Sequence, residues 1–206
     1  MLFRSQTTAA ITVNGPIVAY RDRSANEIRD IAVVRRVRGE WTAPKLVHAD
    51  NWEIDGCPVN GPKLDARGRR VVVAWFTVKN DQGQSWAAFS DDAGRTWGAP
   101  IRLDDAGSIG RVNVSLLDDR SAVASWVERA GPQTSLRFRR IEDSGSKSAP
   151  VVVGEVPGTT ASGFPRMARN GRELVFAWTD ETGTDPSTHR VRVASATLPD
   201  TLPAAR

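Results

Sequence analysis

The sequence predicts an all-β protein in which a unit of about fifty residues occurs four times. Apolar runs recur along the chain and end in an aromatic residue, at Tyr20, Trp75, Trp126 and Trp178, with intervals of 55, 51 and 52 residues. A turn signal containing Gly, Asn or Asp precedes each run, and no stretch has a helical hydrophobic period. Equal units of four short strands are typical of a β-propeller, so about four four-stranded blades are predicted.

Each unit divides into short strands separated by turns rich in Gly and Pro. The strands expected in the first unit are 9–13, 16–20, 31–37 and 45–48. Those expected in the second unit are 63–66, 71–77, 84–89 and 100–103. The predicted blades span about 6–51, 56–105, 110–156 and 162–198 within a single domain, 1–206. A β-sandwich could also use about sixteen short strands, but it would not require equal units.

Four units can close a small ring or form part of a larger one. The proline-rich tail 199–206 is unsuited to a last strand, so the fourth unit is short of one. Residues 2–4 could supply that strand and close the ring. Alternatively, the chain is part of a propeller with more blades and has no activity alone.

Composition argues against several function classes. The 206 residues carry a net charge of +4, and no apolar run is long enough to cross a membrane as a helix. No basic run is interleaved with aromatic residues, so nucleic-acid binding is not expected. Cys57 is the only cysteine and the two histidines stand far apart, so no disulfide, metal or cofactor is expected. The polar residues 5–8 interrupt any apolar segment of a secretory signal, and the compartment and oligomeric state stay open.

Residues 90–97 form a turn that contains its own hydrogen-bonding groups. The glycine can adopt a positive φ, the serine and aspartate can accept hydrogen bonds from turn N–H groups, and the tryptophan offers a ring to bury. The spacing S-x-D-x-G-x-T-W resembles the Asp-box, the bacterial neuraminidase repeat of sialidase-type β-propellers. The matching positions are Ser90, Asp92, Gly94, Thr96 and Trp97.

The resemblance implies a six-bladed propeller, of which this chain would supply part, and a glycoside hydrolase that removes terminal sialic acid. In that family three arginines hold the substrate carboxylate, an Asp is the acid/base, and a Tyr assisted by a Glu is the nucleophile. A longer relative would be periplasmic or secreted. Tyr20 is the only tyrosine here, and its place in the aromatic column predicts a core residue rather than a nucleophile.

In the resembled family the ligand lies where loops lead into the innermost strands and where the second and third strands are joined, opposite the Asp-box turns. The substrate-binding residues expected on this face are Arg21, Arg29, Asn60, Arg111 and Arg166, and the expected acid/base residues are Asp22 and Asp30. The charged loop 21–30 could clamp a sugar carboxylate, or its charges could pair with one another. Trp52 is expected to offer a stacking surface, and Cys57 is expected to be buried.

Two functions follow from these observations. The first is a sialidase-like propeller that binds or hydrolyses an acidic glycan. The alternative is a non-catalytic propeller that serves as a protein-interaction or structural module, in which the charged loops pair internally and leave no central pocket.

Overall fold

The computed structural model describes residues 6–118, 120–158, 163–180 and 189–198. These residues form sixteen β-strands in four antiparallel sheets and contain no helix. The all-β prediction is therefore confirmed, and the sheets follow one another in the order of the four repeats. β-branched and aromatic residues are frequent in the longer strands because they pack well on a pleated surface.

The strands pair in chain order within each sheet, except that β4 and β5 both pair with β3. The first sheet contains β1 (Thr8–Thr12), β2 (Gly15–Arg21), β3 (Ile31–Val37), β4 (Glu40–Trp41) and β5 (Lys45–His48). The second contains β6 (Lys63–Arg67), β7 (Arg70–Lys79), β8 (Gln82–Ser90) and β9 (Ile101–Arg102). The third contains β10 (Ser108–Leu116), β11 (Ser121–Ala130), β12 (Gln133–Glu142) and β13 (Val151–Glu155). The fourth contains β14 (Arg166–Asn170), β15 (Glu173–Asp180) and β16 (Arg190–Thr197).

A tight hairpin fixes the register of the second sheet. Asn80 and Asp81 join β7 to β8 with φ values of 51° and 59°, which gives the turn a twist that matches the strands. Trp75 consequently lies directly opposite Trp86. The two rings share the face of the second sheet that packs against the first.

The first strands of consecutive sheets lie side by side, so that β1 contacts β6, β6 contacts β10, and β10 contacts β14. Each pair of neighbouring sheets encloses a hydrophobic layer that contains one aromatic residue of the repeated column. Trp75 lies between the first and second sheets, Trp126 between the second and third, and Trp178 between the third and fourth. The sheets are therefore stacked face to face around their first strands, as blades are.

The two end sheets each expose an apolar face. Ile11 on the first sheet is 69% exposed, and Val191 and Val193 on the fourth are 70% and 65% exposed. Tyr20 alternates with the buried Ile17 and points to the outer face of the first sheet, where it is half-buried rather than a core residue. Residues 2–4 and 199–206, invoked for ring closure and for the missing strand, lie outside the described residues.

Candidate functional site

Arg21 is the last residue of β2, and backbone carbonyl groups surround its guanidinium. Nε and Nη2 donate to the Asn60 carbonyl at 3.0 and 2.9 Å, and Nη2 also donates to the Phe76 carbonyl at 2.6 Å. Nη1 donates to the Arg29 carbonyl at 2.5 Å. Arg21 therefore connects three segments of the chain through one planar group, which only arginine can do.

The environment of Arg21 is largely dry. Its side chain is 8% exposed, and its guanidinium carbon lies 4.9 Å from the centre of the Trp52 ring. Burial lowers the pKa of Arg21 to about 10, although the nearby carboxylates of Asp50 and Asp30 oppose that shift. Trp52, expected to be a stacking surface, is instead a buried ring covered by this cation.

Three other charged side chains of the loop 21–30 pair with one another. Glu27 receives hydrogen bonds from both Arg23 and Arg29. Arg29 is buried, and its Nε has no hydrogen-bond partner among the described residues. The pairing expected as one of two alternatives is therefore present for these three side chains, whereas Asp22 forms no ion pair with the residues that the structure describes.

Asp30 holds the turn that precedes Trp52. Its Oδ2 accepts from the Asn51 N–H at 3.2 Å and its Oδ1 from the Trp52 N–H at 3.4 Å. Only 3% of Asp30 is exposed, and burial raises the pKa of its carboxyl while the two N–H groups oppose the shift. A carboxyl with a raised pKa is suited to proton transfer, but both of its oxygens are directed at the backbone.

Asn60 joins the loop before β6 to the beginning of β10. Its Oδ1 accepts from the Arg111 N–H at 2.9 Å, and its Nδ2 donates to the Ile109 carbonyl at 3.1 Å. Gly110 packs so closely that a Cβ there would lie 2.6 Å from the Asn60 amide carbon. Arg111 has a positive φ of 57°, and its Nη1 donates to the Pro157 carbonyl at 3.2 Å. Two predicted site residues, Asn60 and Arg111, are therefore in direct contact.

Arg166 and Lys63 are the first residues of β14 and β6, and β10 lies between these strands. Burial lowers the pKa of the Lys63 amine, and the positive charge of Arg166 lowers it further. Neither side chain forms an ion pair with any residue that the structure describes. Sequence reasoning missed Lys63, although it begins an inner strand at the position that Arg166 occupies two blades later.

A cavity of about 420 Å³ opens beside the first sheet at the same end of the strands. Tyr20, Asp22 and Cys57 line it together with the paired arginines of the loop. Burial and the charge of Asp22 raise the pKa of Tyr20, so its phenol is protonated at neutral pH. Cys57 is exposed here, and the expectation that it is buried is wrong.

The turn 90–97 lies at the opposite end of the strands. The Ala93 N–H donates to the Arg69 carbonyl, in the turn between β6 and β7. Ser90 Oγ accepts from the Gly94 N–H at 2.9 Å, and Asp92 accepts from the Thr96 N–H and hydroxyl at 2.8 and 2.6 Å. Trp97 packs against the layer between the first and second sheets. The turn thus closes on its own side chains, away from the candidate site.

Two further observations limit the chemistry of the described part of the chain. It contains no group of three or more His, Cys, Asp or Glu side chains arranged to hold a metal ion. It also contains no helix that is long and apolar enough to span a membrane.

No family model and no curated protein sequence matches this chain. Solved structures do resemble it. An α-L-arabinofuranosidase from Fusarium graminearum has 13% identity and a TM-score of 0.63, and the match covers 92% of this chain and 62% of that one. A Hadza microbial sialidase has 18% identity and a TM-score of 0.56, with 92% and 44% covered. An α-L-arabinofuranosidase from Lactobacillus brevis has 10% identity and a TM-score of 0.57, with 98% and 70% covered.

The chain spans 62% and 44% of the length of the first two of these proteins. At such low identity the similarity concerns the fold alone. The protein has the β-propeller architecture of these glycosidases.

Proposed function

We propose that the protein binds an anionic carbohydrate at the ends of its inner strands, with the sugar carboxylate between Lys63 and Arg166. The observation that carries the proposal is the pair of cations on either side of β10, which have no ion pair among the described residues. The positive charge of Arg166 disfavours the charged form of Lys63. A carboxylate between them would satisfy both, and Arg166 could bind it with two parallel hydrogen bonds.

The remaining predicted residues take supporting places in this proposal. Asn60 and Arg111 join the loop before β6 to the beginning of β10, the strand that lies between β6 and β14. Arg21, Arg29 and Asp30 keep the charged loop rigid beside the ligand. The similar structures support a carbohydrate as the ligand, because arabinofuranosidases and a sialidase are among them.

Titration calorimetry tests the proposal with N-acetylneuraminic acid, glucuronic acid and neutral glucose. We expect the acids to bind and glucose not to bind at the same site. The variant Arg166→Gln should bind the acids about tenfold more weakly, since a charge-assisted hydrogen bond contributes about 1.5–3 kcal/mol. Arg36→Gln is the matched control, because Arg36 is an arginine of β3 that donates to the Gly39 carbonyl. Equal binding by both variants, or no binding by folded wild type, would contradict the proposal.

Hydrolysis is a second candidate, favoured by the position of Asp22 on the 420 Å³ cavity. Asp22 would act as the general acid/base for a glycosidic bond held there. Release of 4-methylumbelliferone from its sialoside measures this activity. Loss of turnover in Asp22→Asn with acid binding retained supports catalysis. Binding without turnover in the wild type instead supports a non-catalytic binding module.

A further inference from the structure

His48 and Asp50 form a hydrogen-bonded pair between the first and second sheets. His48 Nδ1 lies 2.8 Å from Asp50 Oδ1, and Asp50 Oδ2 accepts from the Trp75 indole N–H at 2.6 Å. The Asp50 side chain is 9% exposed, whereas that of His48 is 44% exposed. Both carboxylate oxygens of Asp50 therefore form hydrogen bonds with protein groups. Of the three hydrogen-bonded side chains, His48 is the one that is exposed to solvent.

This geometry determines which nitrogen of the neutral imidazole carries the proton. An ionised carboxylate only accepts hydrogen bonds, so Nδ1 of His48 carries the proton that points at Asp50. In the neutral ring Nε2 is then an acceptor. Nε2 has no hydrogen-bond partner among the described residues, and its orientation is set by Asp50, which Trp75 in turn holds. The result is a preoriented acceptor at the protein surface.

His48 lines a groove of about 770 Å³. Trp86 lines it as a half-buried ring, and its Nε1 donates to Gln84 Oε1 at 3.1 Å, which locks the orientation of the indole. Apart from Ala49, Val78 and Pro100, the rest of the lining consists of side chains that can form hydrogen bonds. Among them the carboxylates of Glu53 and Asp81 outnumber the amine of Lys79. The groove therefore combines an aromatic ring with polar groups and does not favour an anion.

We propose that this groove is a second binding site, for a neutral sugar, in which the ring of Trp86 stacks on the apolar face of the sugar and His48 Nε2 accepts a hydrogen bond from a ligand hydroxyl. The site differs in chemistry from the cation pair at Lys63 and Arg166. It also stands on different observations, so failure of the acidic-glycan proposal would leave it intact.

NMR of the imidazole signals tests the proposal directly, because the chain has two histidines, His48 and His189. His48→Leu and His189→Leu assign the signals. The probes are the methyl glycosides of glucose, galactose, xylose and arabinose, titrated into wild-type protein. We expect at least one of them to shift the His48 signals saturably, to leave those of His189 unchanged and to alter tryptophan fluorescence. We expect the ¹⁵N chemical shift of Nε2 to show that this nitrogen is unprotonated in the neutral ring.

The variants separate a binding role from a structural one. His48→Leu should weaken binding about tenfold, as expected for loss of one hydrogen bond, while His189→Leu binds as wild type does. Near-ultraviolet circular dichroism checks that His48→Leu keeps the packing of Trp75 and Trp86. Asp50→Asn should weaken binding as well and change the tautomer of His48. The proposal is overturned if no glycoside produces a saturable shift, or if folded His48→Leu binds as tightly as the wild type.

Discussion

Arginine has two different roles at the candidate site, and the difference lies in what surrounds each side chain. Arg21 donates hydrogen bonds to the backbone carbonyls of Arg29, Asn60 and Phe76. Arg166 is exposed at the start of β14, where its charge acts on Lys63. A planar group with five donors can replace water at several carbonyls at once, which explains why arginine occupies the dry position.

The first prediction concerns this difference. Arg21→Lys should lower the free energy of unfolding by about 3 kcal/mol, because a single ammonium cannot reach all three carbonyls and leaves some unsatisfied. Urea unfolding measures the loss. Arg36→Lys is the control, since Arg36 is exposed and donates to one carbonyl, and it should cost about 0.5 kcal/mol or less. Similar losses in the two variants would show that Arg21 does not connect the segments.

The second prediction concerns Asp92 and pH. Burial alone would raise the pKa of Asp92, but hydrogen bonds from Thr96, Ser90 and Arg95 hold it well below its usual range. A carboxyl whose folded-state pKa is depressed stabilises the fold above its unfolded pKa, about 3.9, and loses that contribution as pH falls through the folded value. The stability difference between wild type and Asp92→Asn should therefore be constant between about pH 5 and 7 and shrink below about pH 4. A difference that is independent of pH down to about 2.5 would contradict this explanation.

At the scale of elements, the candidate site lies at the end of the sheets where the inner strands begin. The turns at the opposite end contribute no residue to it. Asn60 ties the loop before β6 to β10 through Arg111 and Ile109. Gly110 allows this contact, because it has a φ of 85° and no Cβ. This junction holds the loop that leads to Lys63 against the beginning of β10.

The third prediction tests the junction with a pair of glycines. Gly110→Ala places a Cβ 2.6 Å from the Asn60 amide and also strains a positive φ, so it should cost about 3 kcal/mol. Gly131→Ala has the same kind of strain, with a φ of 62°, but open space around it, and should cost about 1 kcal/mol. Thermal and urea unfolding compare the two. Equal losses would mean that contact with Asn60 contributes nothing.

Sequence patterns predict the strands well because each repeat contains its own turn residues and its own alternation of apolar and polar residues. The aromatic column places Trp75, Trp126 and Trp178 in core layers, where they are found. Tyr20 is the exception in this column. It lies on the outer face of the first sheet, and a core layer there would need another sheet packed against that face. The roles of Trp52 and Lys63 could not be predicted from sequence. The burial of Trp52 under Arg21 and the position of Lys63 near Arg166 depend on contacts between segments that are distant in the chain.

For the whole molecule, stability comes from layers between consecutive sheets, so the two outer faces differ from the inner ones. Such stacks behave as chains of nearest-neighbour contacts. The fourth sheet contributes Leu174, Phe176 and Trp178 to one layer and exposes Val191 and Val193 on its other face. Exposed apolar faces of sheets promote association.

The fourth prediction addresses that face. Val191→Lys combined with Val193→Thr should reduce self-association at high protein concentration, because both residues are largely exposed on one face. The unfolding free energy should change by about 0.5 kcal/mol or less. Light scattering measures the apparent mass. Val59→Lys is the control, a single exposed valine outside the strands, and should leave the mass unchanged. Unchanged association in the double variant would exclude this face as its cause.

The placement of Lys63 and Arg166 on either side of β10 has a thermodynamic consequence. Burial and the positive charge of Arg166 both disfavour the charged form of Lys63 in the folded protein, so an anion that binds there shifts the folding equilibrium through linkage. Multivalent anions such as citrate should therefore raise the melting temperature more than chloride does at equal ionic strength. The melting temperature in different anions is therefore a second measurement that tests the proposed binding of a carboxylate between Lys63 and Arg166.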